Sequence, residues 1–184
     1  LPPGLAILGL SNAAIEKIGK GRGYYFNLAT EIKSQRKNTT AWTAATTLTI
    51  GLLEILETIE KNGGLEKLYE ETATRANAVI SALQAIGLHI YPKTPALSMT
   101  TVDDENASQI RKILKTDFGV NVAGGQDHLD GKIFRINQMG LIAPYEISWV
   151  VNSVELALAK LGRRDYDGTA NRVFNEKYFK LASK

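Results

Sequence analysis

Residues 88 to 102, LHIYPKTPALSMTTV, decide the fold class of this chain. The stretches Leu88 to Tyr91 and Leu97 to Val102 alternate apolar and polar residues, or nearly so, and a turn containing two prolines separates them. Such alternation is typical of short strands with one buried face. The segment therefore predicts two neighbouring strands.

Short units continue towards the C-terminus. Apolar residues at helical spacing predict a helix over Asn106 to Phe118, and Val120 to Ala123 and Lys132 to Asn137 predict two more strands. Pro144 is placed to begin a helix that ends at Gly162. This order predicts an α+β layer in which helices pack on a small, mainly antiparallel sheet.

Two long helices are predicted before these units. Apolar residues recur every three or four positions from Thr43 to Asn62, and again in a second helix that ends at Gly87. Nearer the N-terminus, Ser11 predicts a helix cap, and the near-continuous apolar run from Leu5 to Leu10 predicts a buried strand. The polar segment 24–40 predicts a loop with one helical turn.

Composition removes several classes of function. The 184 residues include no cysteine and only two histidines, which excludes disulfides, thiolate metal sites and a cysteine nucleophile within this chain. The 22 basic and 19 acidic residues are mixed along the chain, so no basic stripe favours nucleic-acid binding. No apolar run is long enough to span a bilayer. We expect a cytoplasmic protein that binds neither nucleic acid nor membrane.

A search for catalytic motifs finds no nucleophile elbow, no HExxH and no phosphate loop of the GxxxxGK type. The acidic run Asp103 to Glu105 offers ligands for a hard cation, but its place before a helix favours a solvated N-terminal cap. His89 lies in a strand and favours a structural role, whereas His128 between glycine-rich turns is ambiguous. No metal site is predicted.

Arg135 lies in the apolar strand Ile133 to Ile136. A guanidinium in or near a buried strand needs an anionic partner, and its planar fork matches a carboxylate with two parallel hydrogen bonds. A substrate carboxylate, a structural salt bridge and an outward-facing side chain all remain open at this point.

The stretch Thr39 to Thr43 ends a loop and opens the first long helix, where hydroxyls and free N–H groups suit either a phosphate or an ordinary N-cap. Gly124-Gly125 makes a turn or allows the backbone to approach a ligand closely.

Taken in order, these features resemble the C-terminal half of class V pyridoxal-phosphate-dependent aminotransferases, and most closely the alanine–glyoxylate and serine–pyruvate group. The motifs are LPPGLA at residues 1–6, TAWTA at 40–44 before GLLE at 51–54, Gly124-Gly125, and GKIFRI at 131–136 with Met139-Gly140. The likeness covers about residues 1–162 and leaves the tail from 163 to 184 unmatched.

The resemblance implies a fold-type I transferase in which residues 1–62 end the large cofactor domain and residues 63–184 form the small α+β domain with its tail. The lysine that forms the Schiff base with pyridoxal phosphate would lie just upstream of Leu1. We therefore expect no catalytic residue in this chain, which alone would be an incomplete transaminase.

The resemblance also assigns roles to three side chains. Arg135 matches the arginine that holds the substrate carboxylate, and Thr43 matches the threonine that reaches the cofactor phosphate across a homodimer interface. Thr40 matches the first threonine of the same loop, although Ala41 and Ala44 replace the two prolines of the family pattern.

The implied reaction moves an amino group between alanine or serine and a 2-oxo acid, glyoxylate or pyruvate. Two alternatives stay open: a non-catalytic dimerisation fragment of the same fold, and a class V lyase or desulfurase that uses the same cofactor. The absence of cysteine argues against a desulfurase within this half only.

Overall fold

The computed structural model describes residues 3–181, and the chain divides between Asn62 and Gly63 into two compact units. Within the described residues, no helix combines the length and apolar character needed to cross a membrane.

The first unit contains three helices, α1 (Asn12–Ile18), α2 (Leu28–Gln35) and α3 (Thr46–Lys61). The cap predicted at Ser11 is confirmed, because its hydroxyl accepts a hydrogen bond from the N–H of Ala14 at 3.2 Å. None of the residues in these helices is buried.

Two expectations for this unit are wrong. Leu5 to Leu10 is not a strand, and Ile7 is 81% exposed. A strand needs a neighbour for its N–H and C=O groups, and the described part of this unit contains no other strand. Segment 24–40 holds a two-turn helix, α2, rather than one turn, because the Asn27 side chain caps the N–H of Thr30 at 3.1 Å.

The second unit is built on a four-stranded sheet. Its strands are β1 (His89–Ile90), β2 (Met99–Asp103), β3 (Ala123–Gly124) and β4 (Ile133–Asn137), in the order β1-β2-β4-β3. Every neighbouring pair is antiparallel, which confirms the predicted sheet. β3 is shorter than predicted, because Val120 and Val122 turn into the core without joining the ladder.

Four helices complete this unit: α4 (Gly64–Ala85), α5 (Ala107–Phe118), α6 (Pro144–Lys160) and α7 (Thr169–Tyr178). The first three were predicted. Their buried stripes meet one face of the sheet in a single hydrophobic core, whose largest members include Leu83, Ile110, Leu114, Phe134, Ile136, Ile147, Val151 and Phe174.

The C-terminal tail docks through α7, which packs against α4 and α6. Phe174 is fully buried, whereas Phe179 stays 54% exposed. A buried acid on α6 fixes the start of α7: Glu155 accepts a hydrogen bond from the N–H of Ala170 at 2.9 Å and pairs with Arg164 at 3.0 Å. A carboxylate at a helix N-terminus also interacts favourably with the helix dipole.

The aspartate of the same connection is held in its ionised form. Hydrogen bonds from Thr169 lower the pKa of Asp167 to about 2, and a hydrogen bond with Glu155 and the charge of Arg164 act in the same direction. The turn between α6 and α7 is therefore fixed by charged side chains.

We expect Phe174→Ala to lower the free energy of unfolding by about 3–5 kcal/mol, because it empties a closed site in the core. Phe179→Ala is the matched control and should change it by less than about 0.5 kcal/mol. Urea unfolding followed by circular dichroism measures both. Equal effects of the two variants would contradict the docked tail.

Candidate functional site

Arg135 lies in the middle of β4, between β2 and β3. It is paired with Thr101 on one side and with Ala123 on the other. Its neighbours Phe134 and Ile136 are buried in the core against the helices. Because side chains alternate along a strand, Arg135 belongs to the opposite face of the sheet.

One hydrogen bond orients the guanidinium. Nε of Arg135 donates to the carbonyl oxygen of Gly124 at 2.8 Å, and the side chain is half-buried. Among residues 3–181, no carboxylate forms an ion pair with Arg135, and its terminal nitrogens make no hydrogen bond. The described chain therefore contains no structural salt bridge for this residue, and the fork remains available to an external anion.

Arg135 lines a cleft of about 320 Å³. Tyr91, Thr101 and Gln126 supply polar groups to its wall, and Leu129 and Ile133 supply apolar surface. Arg135 is the only charged residue among those that line it. A small molecule carrying one carboxylate matches this combination of polarity and charge.

The two glycines next to the cleft have different neighbours. A Cβ at Gly125 would lie 2.0 Å from the carbonyl oxygen of Leu129, which belongs to the 3₁₀ turn Asp127–Leu129. A Cβ at Gly124 would lie 2.3 Å from Nη1 of Arg111, at the end of a long side chain whose Nε donates to the carbonyl oxygen of Val122 at 3.3 Å. The close approach at Gly125 is therefore between backbone groups and forms one wall of the cleft.

Thr40 and Thr43 belong to the first unit. Both are exposed, and Thr43 lies in the loop three residues before α3 begins, so the prediction that it opens the helix is wrong. The Thr40 hydroxyl donates to the carbonyl oxygen of Trp42 within the loop. The N-cap position of α3, Ala45, provides no side-chain cap.

Aromatic packing anchors this loop, which the sequence patterns did not reveal. The Trp42 ring nitrogen donates to the carbonyl oxygen of Tyr25 at 3.2 Å, and its ring centroid lies 4.7 Å from that of Tyr24. The N–H of Ala41 donates to Glu31 of α2 at 3.1 Å. The loop that carries both threonines is therefore held to the segment that precedes α2.

The acidic run and His89 have structural contacts, whereas His128 lies in the 3₁₀ turn Asp127–Leu129. Asp104 caps the N–H of Asn106 at 2.8 Å and pairs with Arg163 at 2.6 Å. His89 faces Asp103 across the β1–β2 pair at 2.5 Å. No cluster of three metal-ligating side chains occurs in the part of the chain that the structure describes.

A second arginine near β4 escaped the sequence analysis. Arg75 is only 7% exposed, and its Nη1 donates to the carbonyl oxygens of Gln138 and Gly140 just after β4. It shares the buried stripe of α4 with Val79 and Ala82. Its place among apolar residues at helical spacing could have marked Arg75 as a buried charge, but not its partner.

Gly125→Ala should lower the free energy of unfolding by about 2–3 kcal/mol, because the added methyl group has to displace a backbone carbonyl. Gly124→Ala, with only a flexible side chain in the way, should cost less than about 1 kcal/mol. Both values come from urea titration of the protein. A smaller loss of unfolding free energy for Gly125→Ala than for Gly124→Ala would contradict the close backbone contact at Gly125.

Curated relatives match nearly all of the chain. A Helicobacter pylori protein named as an uncharacterised aminotransferase is 44% identical over 97% of this chain and 49% of its own length. The serine–glyoxylate aminotransferase of Hyphomicrobium methylovorum is 28% identical over the whole chain and 48% of its own length. An Anabaena cylindrica protein named as the 42 kDa subunit of a soluble hydrogenase is 32% identical over 92% of this chain and 46% of its own length.

The fold is shared with a solved structure. The pyridoxamine–pyruvate aminotransferase of Mesorhizobium loti superposes with a TM-score of 0.84 over 95% of this chain and 47% of its own chain, at 19% identity. No protein-family model matches. The chain spans about half the length of the curated relatives it matches. The chain is therefore similar to about half the length of proteins that are mostly named as aminotransferases, and it shares the fold of the corresponding part of one of them.

Proposed function

We propose that this chain is the C-terminal portion of a class V pyridoxal-phosphate-dependent aminotransferase. Its reaction moves an amino group between a small amino acid, alanine or serine, and a 2-oxo acid such as glyoxylate or pyruvate. Residues 1–62 complete the large domain, residues 63–184 form the small one, and the enzyme acts as a cytoplasmic homodimer. The availability of the Arg135 guanidinium in a small cleft that no other charged residue of the described chain lines carries this proposal.

Arg135 binds the α-carboxylate that both substrates share. The hydrogen bond from its Nε to Gly124 fixes the plane of the guanidinium, so the two terminal nitrogens present a rigid pair of donors. Among the described residues, Arg135 is the one cation that lines this cleft, which matches a single carboxylate, and the acidic run from Asp103 to Glu105 lines the adjoining cleft. A carboxylate held at two points keeps the rest of the substrate in one orientation.

The loop before α3 has donors that suit the phosphate of the cofactor. The Thr43 hydroxyl is exposed and makes no hydrogen bond within residues 3–181, and the helix behind it has an uncapped N-terminus. Hydroxyl and backbone N–H groups at a helix start are a common phosphate site. Thr40 supports the loop by donating to Trp42, and Thr43 offers its hydroxyl to the phosphate.

Pyridoxal phosphate, when bound, supplies the electron sink that such transamination needs. The part of this chain is to bind and orient: Arg135 holds the carboxylate, and the loop of Thr40 and Thr43 holds the phosphate. We assign proton transfer to none of the lysines in this chain.

In the complete enzyme, Arg135→Ala should raise KM for both the amino acid and the oxo acid while the cofactor stays bound. Loss of a bidentate charge-assisted pair is expected to lower kcat/KM roughly 30- to 1000-fold, which corresponds to about 2–4 kcal/mol of lost transition-state stabilisation. Arg172→Ala, at an exposed arginine of the same unit, is the control and should leave KM unchanged. Steady-state kinetics with both substrates, together with the cofactor absorbance, test this. An unaltered KM for Arg135→Ala would contradict the proposed binding of the substrate carboxylate by Arg135.

Thr43→Val should weaken cofactor binding about tenfold and leave KM for the amino acid close to the parent value, because it deletes one hydrogen bond to a charged group. Thr58→Val is the matched control, since the Thr58 hydroxyl donates to the carbonyl of Glu54 within α3. Titration of the apoenzyme with pyridoxal phosphate measures both. Equal cofactor affinity of the two variants would count against the phosphate role.

A further inference from the structure

We infer that Arg75 is a positioning residue for the substrate-binding arginine, acting through the backbone that follows β4. This inference rests on the proposed role of Arg135 and adds a second arginine that touches no substrate. Arg75 lies on α4, 63 positions before the residue whose carbonyl it binds.

The contact joins a buried cation to the main chain. Nη1 of Arg75 donates to the carbonyl oxygen of Gln138 at 2.6 Å and to that of Gly140 at 3.4 Å. Within the described residues no carboxylate pairs with Arg75. Its charge is therefore balanced by peptide carbonyls of the turn that ends β4.

Gln138 is held from three directions. Besides the carbonyl contact with Arg75, its N–H donates to the carbonyl of Ser98 at 2.9 Å, which extends the β2–β4 ladder by one step. Its side-chain nitrogen donates to the hydroxyl of Thr100 at 2.5 Å, and both side chains are fully buried. These contacts tie the end of β4 to β2 and to α4 at one residue.

The register of β4 decides where Arg135 is found. In the observed register Arg135 is opposite Thr101, and Ile136 is opposite Thr100. Because strand side chains alternate between faces, a slip of one residue would turn Arg135 into the core. A slip of two would place Ile133 or Asn137 at the position opposite Thr101. The network of Arg75, Gln138 and Thr100 opposes both movements.

Two polar atoms of this network lack a hydrogen-bond partner, so the network is expected to contribute little to the free energy of unfolding. Nε of Arg75 and Oε1 of Gln138 are buried without a hydrogen-bond partner. Replacing a buried charge by an apolar side chain of similar length is often neutral for folding or even favourable. The expected consequence of losing Arg75 is therefore a displaced Arg135 rather than an unfolded domain.

Arg75→Met and Arg75→Lys in the complete enzyme test this. Methionine keeps an apolar stem and removes every donor, and lysine restores a single donor nitrogen that can reach the carbonyls. We expect Arg75→Met to raise KM for both substrates about tenfold with kcat within about twofold, and Arg75→Lys to lie between it and the parent. The inhibition constant of propionate, which offers only the carboxylate, should rise by the same factor as KM.

The control is Glu155→Gln, which weakens a different buried ionic contact of the same unit, between α6 and the tail. A merely structural role of Arg75 predicts that both variants lower the melting temperature and act alike on KM. Positioning predicts a rise in KM and in the propionate constant for Arg75→Met alone.

Arg135→Ala, measured in parallel, separates two kinds of failure. If Arg135→Ala leaves KM unchanged, the proposed substrate clamp is wrong. A second outcome is that Arg135→Ala raises KM while Arg75→Met leaves KM and propionate inhibition at the parent values. In that case the carboxylate-binding role of Arg135 is retained, and only the positioning role of Arg75 is overturned.

Discussion

The antiparallel pairing of β4 with β2 is the constraint on which the site depends. A strand has a side-chain period of two, so one register sends Phe134 and Ile136 into the core and Arg135 to the other face. Burial of those apolar neighbours thus stabilises the orientation of the charged residue between them. The Gly124 carbonyl then fixes the guanidinium itself, and the cleft wall leaves its fork available for a carboxylate.

The second unit is self-sufficient in a way that the first is not. It has a closed core into which α4, α5, α6 and α7 all contribute fully buried residues. The first unit has no buried helical residue, and apolar side chains of α3 such as Ile50 and Leu53 are more than half exposed. Exposed apolar side chains of this kind are typical of surfaces that contact other protein.

Much of the second unit was predictable because its signals are local. Helical spacing, Pro144 and the alternation around Met99 fixed elements whose partners also lie in this chain. The run Leu5 to Leu10 misled for the opposite reason: an apolar run predicts a strand only where another strand can pair with it. No local pattern predicted α7, because its start depends on Glu155, a buried acid on α6.

Some residues of the candidate site could be proposed from the sequence for the same reason. Arg135 stood out as a charge inside an apolar strand, and Thr43 through the family motif. The carbonyl of Gly124 and the side chain of Arg75 are brought to β4 by tertiary contacts over 11 and 63 positions, which spacing along the sequence does not encode.

The most direct measurement is a crystal structure of the complete enzyme with propionate bound. We expect the carboxylate to lie within about 3 Å of both terminal nitrogens of Arg135, with Nε of Arg135 still donating to the carbonyl of Gly124. A carboxylate bound by another cation, with the Arg135 fork facing solvent, would contradict it.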